Sequence, residues 1–339
     1  MPTIAVDAAG GDHAPEAVVR GVAQASLQSD IQCVLVGDEP RIQSILERVT
    51  YNPELISIVH AGEVIGMAED PREAIRSKRD ASVLVAARLV GEGAADALVG
   101  AGNTGAFVLA CAKNFRVIEG IQRTALASVY PRQTRYPGQD PLAIILDVGA
   151  TVHCQPGELV QFALMGSAYA RRISKLETPR VALLNMGREE AKGGAVLVEA
   201  HRRLRELDGI NFVGNIEGND LAAGEADVIV CEGLVGNAVL KLVEGMADVF
   251  LSLTGAAARR RLRWRLGLAL LGEPVRRVRQ LTDYTRYGGA PILGFDRVCI
   301  KCHGRSTDRA VCNAVKVAAK AVRDAVPREI AEAVAGVPS

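Results

Sequence analysis

Short apolar runs that end in glycine beside an acid or an amide recur along the chain. Thr3 to Val6 is followed by Asp7 and a Gly-Gly pair, IQCVLVG closes at Gly37, and ADALVG leads into AGNTGA. AIILDVGA, LLNMG, NFVGNIEG and VIVCEG repeat the device. Each run has the length and bounding residues of a strand, and ELISIVHA, ending at Ala61, is another. Stretches of helical spacing lie between them: from Pro15, which suits a first helical turn, to about Ser29, from Asp80 to Gly91, and from Val311 to Val326. Strand alternating with helix predicts an α/β protein whose sheet is predominantly parallel and covered by helices. Ligands of such sheets bind beyond the C-terminal strand ends, so the polar endings are where a site is expected.

The longest departure from this rhythm runs from Phe250 to Arg279, where eight arginines stand against one acid, Glu273, with Trp264 and several leucines between them. At 3.6 residues per turn the arginines do not gather on one face, so the segment is not a clean amphipathic helix. Its composition permits a helical hairpin at a subunit interface, contact with anionic lipid or an acidic partner, or plain solvated surface. With no internal repeat and no low-complexity linker, residues 1–335 read as one domain or two intimate lobes, and 336–339 as a frayed tail.

Charge narrows the function classes. The 40 basic and 39 acidic residues leave a net charge of +1, so no global field draws in a polyanion and no nucleic-acid partner is expected. Seven cysteines in a chain of this length fit a reducing compartment better than a disulfide framework. The N-terminus has acids within its first dozen residues and lacks the apolar core of a secretory signal, and no apolar run approaches the roughly 20 residues that cross a bilayer. A cytoplasmic protein is expected, with surface attachment to the inner face of the cell membrane left open.

Four segments carry candidate chemistry. In AGNTGA, Gly102, Asn103, Thr104 and Gly105 form a glycine-rich turn at a helix start, where backbone N–H groups suit phosphate. The spacing matches neither a Walker loop nor a dinucleotide fingerprint. In NMGREEAKGGA, Asn185 and Gly187 end a strand and Lys192 follows; on its own Lys192 reads as a surface lysine. In CEGLVGNAVLKLVEG, Asn237 stands at an expected helix start, where its amide either caps the helix or donates to a substrate oxygen. His303 and Arg305 share a polar turn, and Arg305 is able to fork two hydrogen bonds to phosphate. Cys299, Cys302 and His303 have the spacing of a haem attachment motif, read here as coincidence, and no paired set of ligands marks a metal centre.

Taken in order, DAAGGDHAP, AGNTGA, LDVGA, QFALMGSAYA, LLNMGREEAKGG, VGNIEGND, EGLVGNAVLK, YGGAPILGF and IKCHGRS closely resemble the PlsX family of bacterial phosphate acyltransferases, from Ile4 to about Val326. The chain departs from the usual family wording at Ala9, Gly100, Thr151 and Glu232. The resemblance implies a three-layer α/β/α sandwich similar to the isocitrate and isopropylmalate dehydrogenase fold, assembled as a homodimer. It implies transfer of a long-chain acyl group from acyl-[acyl-carrier-protein] to inorganic phosphate, with no cofactor and no catalytic metal. The acyl-phosphate would pass to a membrane glycerol-3-phosphate acyltransferase, and the basic helical region at 250–279, which matches the family's protruding segment, would meet an anionic membrane surface. Lys192 matches the family's proposed catalytic lysine and Asn237 its partner. Expected contacts to phosphate or acyl-phosphate are Asp7, Gly10, Gly11, Asp12, Gly102, Asn103, Thr104, Gly105, Asn185, Gly187, His303 and Arg305. Rival readings are a phosphotransacetylase-like enzyme using acyl-coenzyme A, a metal-dependent decarboxylating dehydrogenase, and a non-catalytic scaffold that binds the carrier.

Overall fold

The computed structural model describes residues 1–134, 140–260, 272 and 288–335. Most of the basic segment expected to protrude at 250–279, and the tail 336–339 expected to fray, lie outside the described residues. The strands are β1 (Thr3–Asp7), β2 (Gln32–Gly37), β3 (Ile56–His60), β4 (Ala97–Gly100), β5 (Ala125–Pro131) and β6 (Leu142–Leu146), then β7 (Arg180–Leu184), β8 (Asn211–Ile216), β9 (Val228–Val230), β10 (Ala290–Leu293) and β11 (Val298–Lys301). The helices are α1 (Glu16–Gln28), α2 (Glu39–Leu46), α3 (Pro71–Ser77), α4 (Ser82–Gly91), α5 (Thr104–Asn114) and α6 (Pro156–Ile173), then α7 (Gly194–Glu206), α8 (Asp220–Ala223), α9 (Gly233–Arg260), α10 (Asp308–Arg323) and α11 (Val326–Ala335).

All the strands among the described residues belong to one sheet, in the order β3-β2-β1-β4-β11-β10-β5-β6-β9-β7-β8. The first five of these are mutually parallel, and so are the last four. Between them β10 runs antiparallel to β11 and to β5, and β5 runs antiparallel to β6. The two parallel halves therefore point in opposite directions. Their register brings them together: Lys301 lies opposite Ala290, Leu126 opposite Ile292, and Ala127 opposite Leu146. Asp7, Gly100 and Lys301 on one side, and Leu146 and Val230 on the other, thus end within about a residue of the same level. C-terminal strand ends that would lie on opposite edges of a straight sheet instead face one another at its middle.

Helices cover both faces, which explains why the strand runs are continuously apolar instead of alternating. Ile4, Val6, Val181 and Leu183 belong to the core on the face of α1, α6, α7, α10 and α11, while Ala5, Leu98, Ile145 and Ala182 belong to the core on the opposite face, to which α3, α4, α5 and the first turns of α9 contribute. On α10, Val311, Ala314, Val315 and Ala318 recur at helical spacing and supply its buried stripe. Small residues let α10 approach α1 closely. A Cβ on Gly21 would stand 2.4 Å from the Asp308 carbonyl oxygen and 2.7 Å from Val311 Cβ. Gln24 Nε2 also donates to Asp308 Oδ2 at 3.0 Å.

Gly21→Ala would therefore force α1 and α10 apart, and the expected loss is about 1–3 kcal/mol of unfolding free energy. Urea denaturation of the variant checks it; an unchanged midpoint would show that the contact relaxes without cost.

Candidate active site

Five segments gather where the strand ends meet: 8–15 after β1, 101–103 after β4, 302–307 after β11, 147–155 after β6, and the start of α9 after β9. They surround a cavity of about 490 Å³. Asp12, Thr104, Lys301, His303, Arg305 and Ser306 supply its polar lining. Leu126, Val129 and Tyr130 on β5, with Leu240 and Val243 on α9, supply an apolar wall, and Asn237, Lys241 and Glu244 look in from α9.

Close backbone approach fixes the loops of the first half. A Cβ on Gly10 would stand 2.4 Å from Asp7 Oδ2 and 2.8 Å from Gly102 Cα, so both loops need glycine where they touch. Asp12 N donates to the Gly304 carbonyl at 2.8 Å and ties the first loop to the third. Asp7 is buried beneath them, where Ser82 Oγ donates to its Oδ1 at 2.6 Å. Burial pushes its carboxyl above the usual range, and the Ser82 bond opposes that shift. Asp7, Gly10, Gly102 and Asn103 line a small separate pocket beside the main one. Asn103 is occupied: it accepts from Ala106 N at 3.1 Å as the cap of α5 and donates to the Met67 and Glu69 carbonyls at 3.1 and 3.0 Å. Gly105 lets α5 lie against Pro71, whose Cγ would be 2.7 Å from a Cβ there.

The second half depends on Asp147, which is fully buried. Its Oδ1 accepts from the backbone N–H groups of Leu126, Gly149 and Ala150 at 2.9–3.1 Å, and its Oδ2 from Thr151 at 2.7 Å. The start of α9 lies directly on this knot. A Cβ on Gly233 would be 2.5 Å from Asp147 Oδ2, one on Gly236 would overlap the Asp147 carbonyl oxygen, and Thr151 Oγ1 accepts from Gly233 N at 3.0 Å. Asn237 comes one turn into α9 and faces the cavity, so the expected choice between cap and donor is resolved against the cap. Thr151, one of the departures from the family wording, takes part in this tie. At Gly100, another departure, a Cβ would stand 2.8 Å from the Phe107 ring, so glycine here matches the packing.

Lys301 was missed in the sequence, although a lysine ending the otherwise apolar strand VCIK was the available signal. It is 6% exposed, and its Nζ donates to the Cys302 carbonyl. Burial lowers its pKa to about 8, opposed by the charges of Cys302, Asp7 and Asp12. His303 Nδ1 accepts from Arg305 N at 3.1 Å, which leaves the ring proton on Nε2. Lys241 Nζ lies 3.5 Å from that Nε2 and 2.7 Å from Glu244 Oε2. Burial, then the Lys241 charge, holds His303 below the usual histidine range.

Asn185, Gly187 and Lys192 form a separate cluster. Asn185 Nδ2 donates to the Lys192 carbonyl at 3.0 Å and its Oδ1 accepts from Met186 N at 2.7 Å, so its side chain closes its own loop. Lys192 is exposed, and the three stand outside the residues that line the cavity. Gly11, at φ +118, turns the first loop. Cys299 and Cys302 are buried on opposite faces of the sheet, one in each core, which removes any shared ligand role.

The family model described as "Fatty acid synthesis protein" matches residues 2–329. A phosphate acyltransferase of Dictyoglomus turgidum is 43% identical over 330 residues, covering 97% of this chain and 96% of the relative. Among solved structures, a phosphotransacetylase from Streptococcus pyogenes aligns with a TM-score of 0.64 at 17% identity, covering 95% of this chain and 94% of that one. A 4-hydroxythreonine-4-phosphate dehydrogenase from Klebsiella pneumoniae gives 0.53 at 15% identity, covering 95% of this chain and 100% of that one. Fold and cavity together define an α/β enzyme of phosphotransacetylase-like architecture. The chain belongs to the phosphate acyltransferase, or PlsX, family, which transfers an acyl group to phosphate for phospholipid synthesis. The expected likeness to isocitrate and isopropylmalate dehydrogenases is corrected by these alignments. Apolar runs ending in glycine are common to parallel α/β sheets and do not encode strand order, so they could not discriminate among such folds.

The depressed pKa of Lys301 has a signed consequence. Between pH 8 and 10.5 the unfolded chain holds this proton and the native chain releases it, so the Lys301 contribution to stability rises with pH across that window. At neutral pH the buried charge costs about 3 kcal/mol. In Lys301→Met the contribution disappears, while buried thiols such as Cys33 and Cys154, raised by desolvation, lower stability above pH 9 in both proteins; urea unfolding from pH 7 to 10.5 should therefore show the wild type gaining on the variant as pH rises.

Proposed function

We propose that the cavity transfers a long-chain acyl group from acyl-[acyl-carrier-protein] to inorganic phosphate. The carrying observation is the juxtaposition, in one cavity, of the Lys301, His303 and Arg305 turn with the Asn237 amide and the apolar wall of β5 and α9. A phosphate oxygen attacks the thioester carbonyl carbon; the new C–O bond forms as the C–S bond breaks, and the proton of hydrogenphosphate ends on the carrier's thiol. Phosphate is already an anionic nucleophile, so no acyl-enzyme is needed. Lys301 and Arg305 offset its charge, His303 Nε2–H donates to it, and Asn237 donates to the carbonyl oxygen as it becomes tetrahedral. A lysine titrating at about 8 is mostly charged at neutral pH, and a bound dianion favours that form further.

The family resemblance gives the phosphate role to Lys192 and thereby supports a second reading, in which the exposed loop after β7 closes over the cavity or reaches that of a second subunit. The homodimer implied by the family resemblance is supported by α9, whose Leu234, Leu242, Met246 and Leu253 are exposed on the single chain. No helix among the described residues is long and apolar enough to cross a membrane. Peripheral attachment through α9 and the basic residues beyond it would place a reactive mixed anhydride near the membrane acyltransferase that consumes it.

Mass spectrometry of palmitoyl-[acyl-carrier-protein] with and without phosphate tests the reaction. Phosphate-dependent palmitoyl-phosphate is expected, with Asn237→Ala losing about 10²–10³-fold in kcat. Phosphate KM should rise in Lys301→Met if the cavity lysine binds the anion, or in Lys192→Ala if the loop lysine does. Turnover of acyl-coenzyme A in place of the carrier thioester would overturn the donor assignment.

A further inference from the structure

A second cavity, of about 250 Å³, lies on the other side of the sheet. Ala127, Ile144, Tyr169, Ile173 and Val317 supply most of its apolar lining. It shares Ser128, Val129 and Gly289 with the cavity described above, so the two are neighbours through the sheet. Their faces are distinct: Leu126 and Tyr130 belong to the core beneath α4 and α5, and Ala127, Ile144 and Tyr169 to the core beneath α6 and α10.

Strand pairing explains the opening. The β5–β10 ladder consists of Leu126 with Ile292 and Ala125 with Leu293. From Ala127 to Pro131, β5 pairs with β6, and among the described residues its other edge has no ladder partner. Continued register would set Ala290 against Ser128 and Gly289 against Val129. Instead the chain turns at Gly288 and Gly289, with φ of +74 and +86. A Cβ on Gly289 would stand 2.8 Å from Ile300 Cγ2 and 2.9 Å from the Lys301 carbonyl oxygen, so this wall of the opening has no side chain to close it.

We infer that the acyl chain of the substrate leaves the reaction cavity along the unpaired edge of β5, crosses the sheet beside Gly289, and is held in the second cavity, whose size sets the preferred chain length. This rests on the acyl-transfer reading of the first cavity. The occupant follows from continuity with that cavity and from chemistry: a narrow unbranched hydrocarbon fits an apolar lining, and burying each methylene is favourable. The far rim is polar, with Asp140, Ser174 and Lys320, and Lys320 Nζ donates to the Ile173 carbonyl at 2.6 Å. A hydrocarbon chain has no favourable partner there, so the rim defines its end.

The test fills the second cavity from two helices, with Ile173→Trp on α6 and Val317→Met on α10, both remote from the polar lining of the first. Turnover of butanoyl and palmitoyl carrier thioesters is compared, together with calorimetric binding of butanoyl and palmitoyl phosphonates, which mimic the product without reacting. Each methylene excluded costs about fourfold in affinity or kcat/KM, so palmitoyl compounds should lose at least about tenfold while butanoyl compounds change less than about twofold. Equal losses at both lengths, or no loss for palmitoyl in either folded variant, would overturn the proposal. Because phosphonate binding needs no turnover, a wild type that binds palmitoyl phosphonate more tightly than butanoyl phosphonate yet makes no acyl-phosphate would refute the reaction and keep the pocket. Active wild type with equal phosphonate affinities would do the reverse.

Discussion

The antiparallel ladders joining β11, β10, β5 and β6 constrain the rest of the molecule, because they reverse strand direction and set the register between the two halves. Each parallel half alone would present its loops along one edge, facing solvent. Reversal with a stagger turns those edges toward each other, so that Thr104 and Lys301 from one half share a cavity with Gly149 and Asn237 from the other. In the proposed reaction a carbonyl held there would meet donors from both sides, beside the apolar wall of β5 and α9.

Bringing loops this close demands small residues and satisfied polar groups. Gly10 against Gly102, and Gly233 and Gly236 against Asp147, are contacts at which a single Cβ would collide with backbone or carboxylate. Asp147 is tolerable inside the core because four backbone N–H groups solvate its carboxylate. Lys301 is less well compensated, as its lowered pKa records, and an incoming anion would supply the counter-charge the fold leaves incomplete. Under the proposed phosphate role, stability and anion affinity would be set against one another at this residue.

Much of the layering was legible in the chain. Ile4 to Val6 and Val181 to Leu184 are apolar without alternation, the mark of strands covered on both faces. Some of the candidate loops lie at the cavity, where Thr104 of AGNTGA, Asp12 and the His303 turn form part of its lining. Asn103 and Asn185 were expected to contact phosphate, and each amide bonds to backbone: Asn103 to Ala106, Met67 and Glu69, and Asn185 within its own loop. Short polar side chains beside a helix start satisfy either role, and spacing does not distinguish them. Lys301 escaped notice because a lysine at a strand end reads as solvated until the neighbouring strands bury it.

By itself the sequence determined the local elements, the apolar faces and the family, because propensity, periodicity and nine ordered motifs are properties of neighbouring residues. Strand order, the reversal at β10 and β5, and the burial of Lys301 were decided by tertiary structure. So was the separation of the Lys192 loop from the cavity in the single chain. These depend on pairings between segments far apart in the chain, such as Ile292 with Leu126 and Lys301 with Gly100. Such pairings are selected by the packing of both sheet faces at once, a condition that no local stretch of sequence contains.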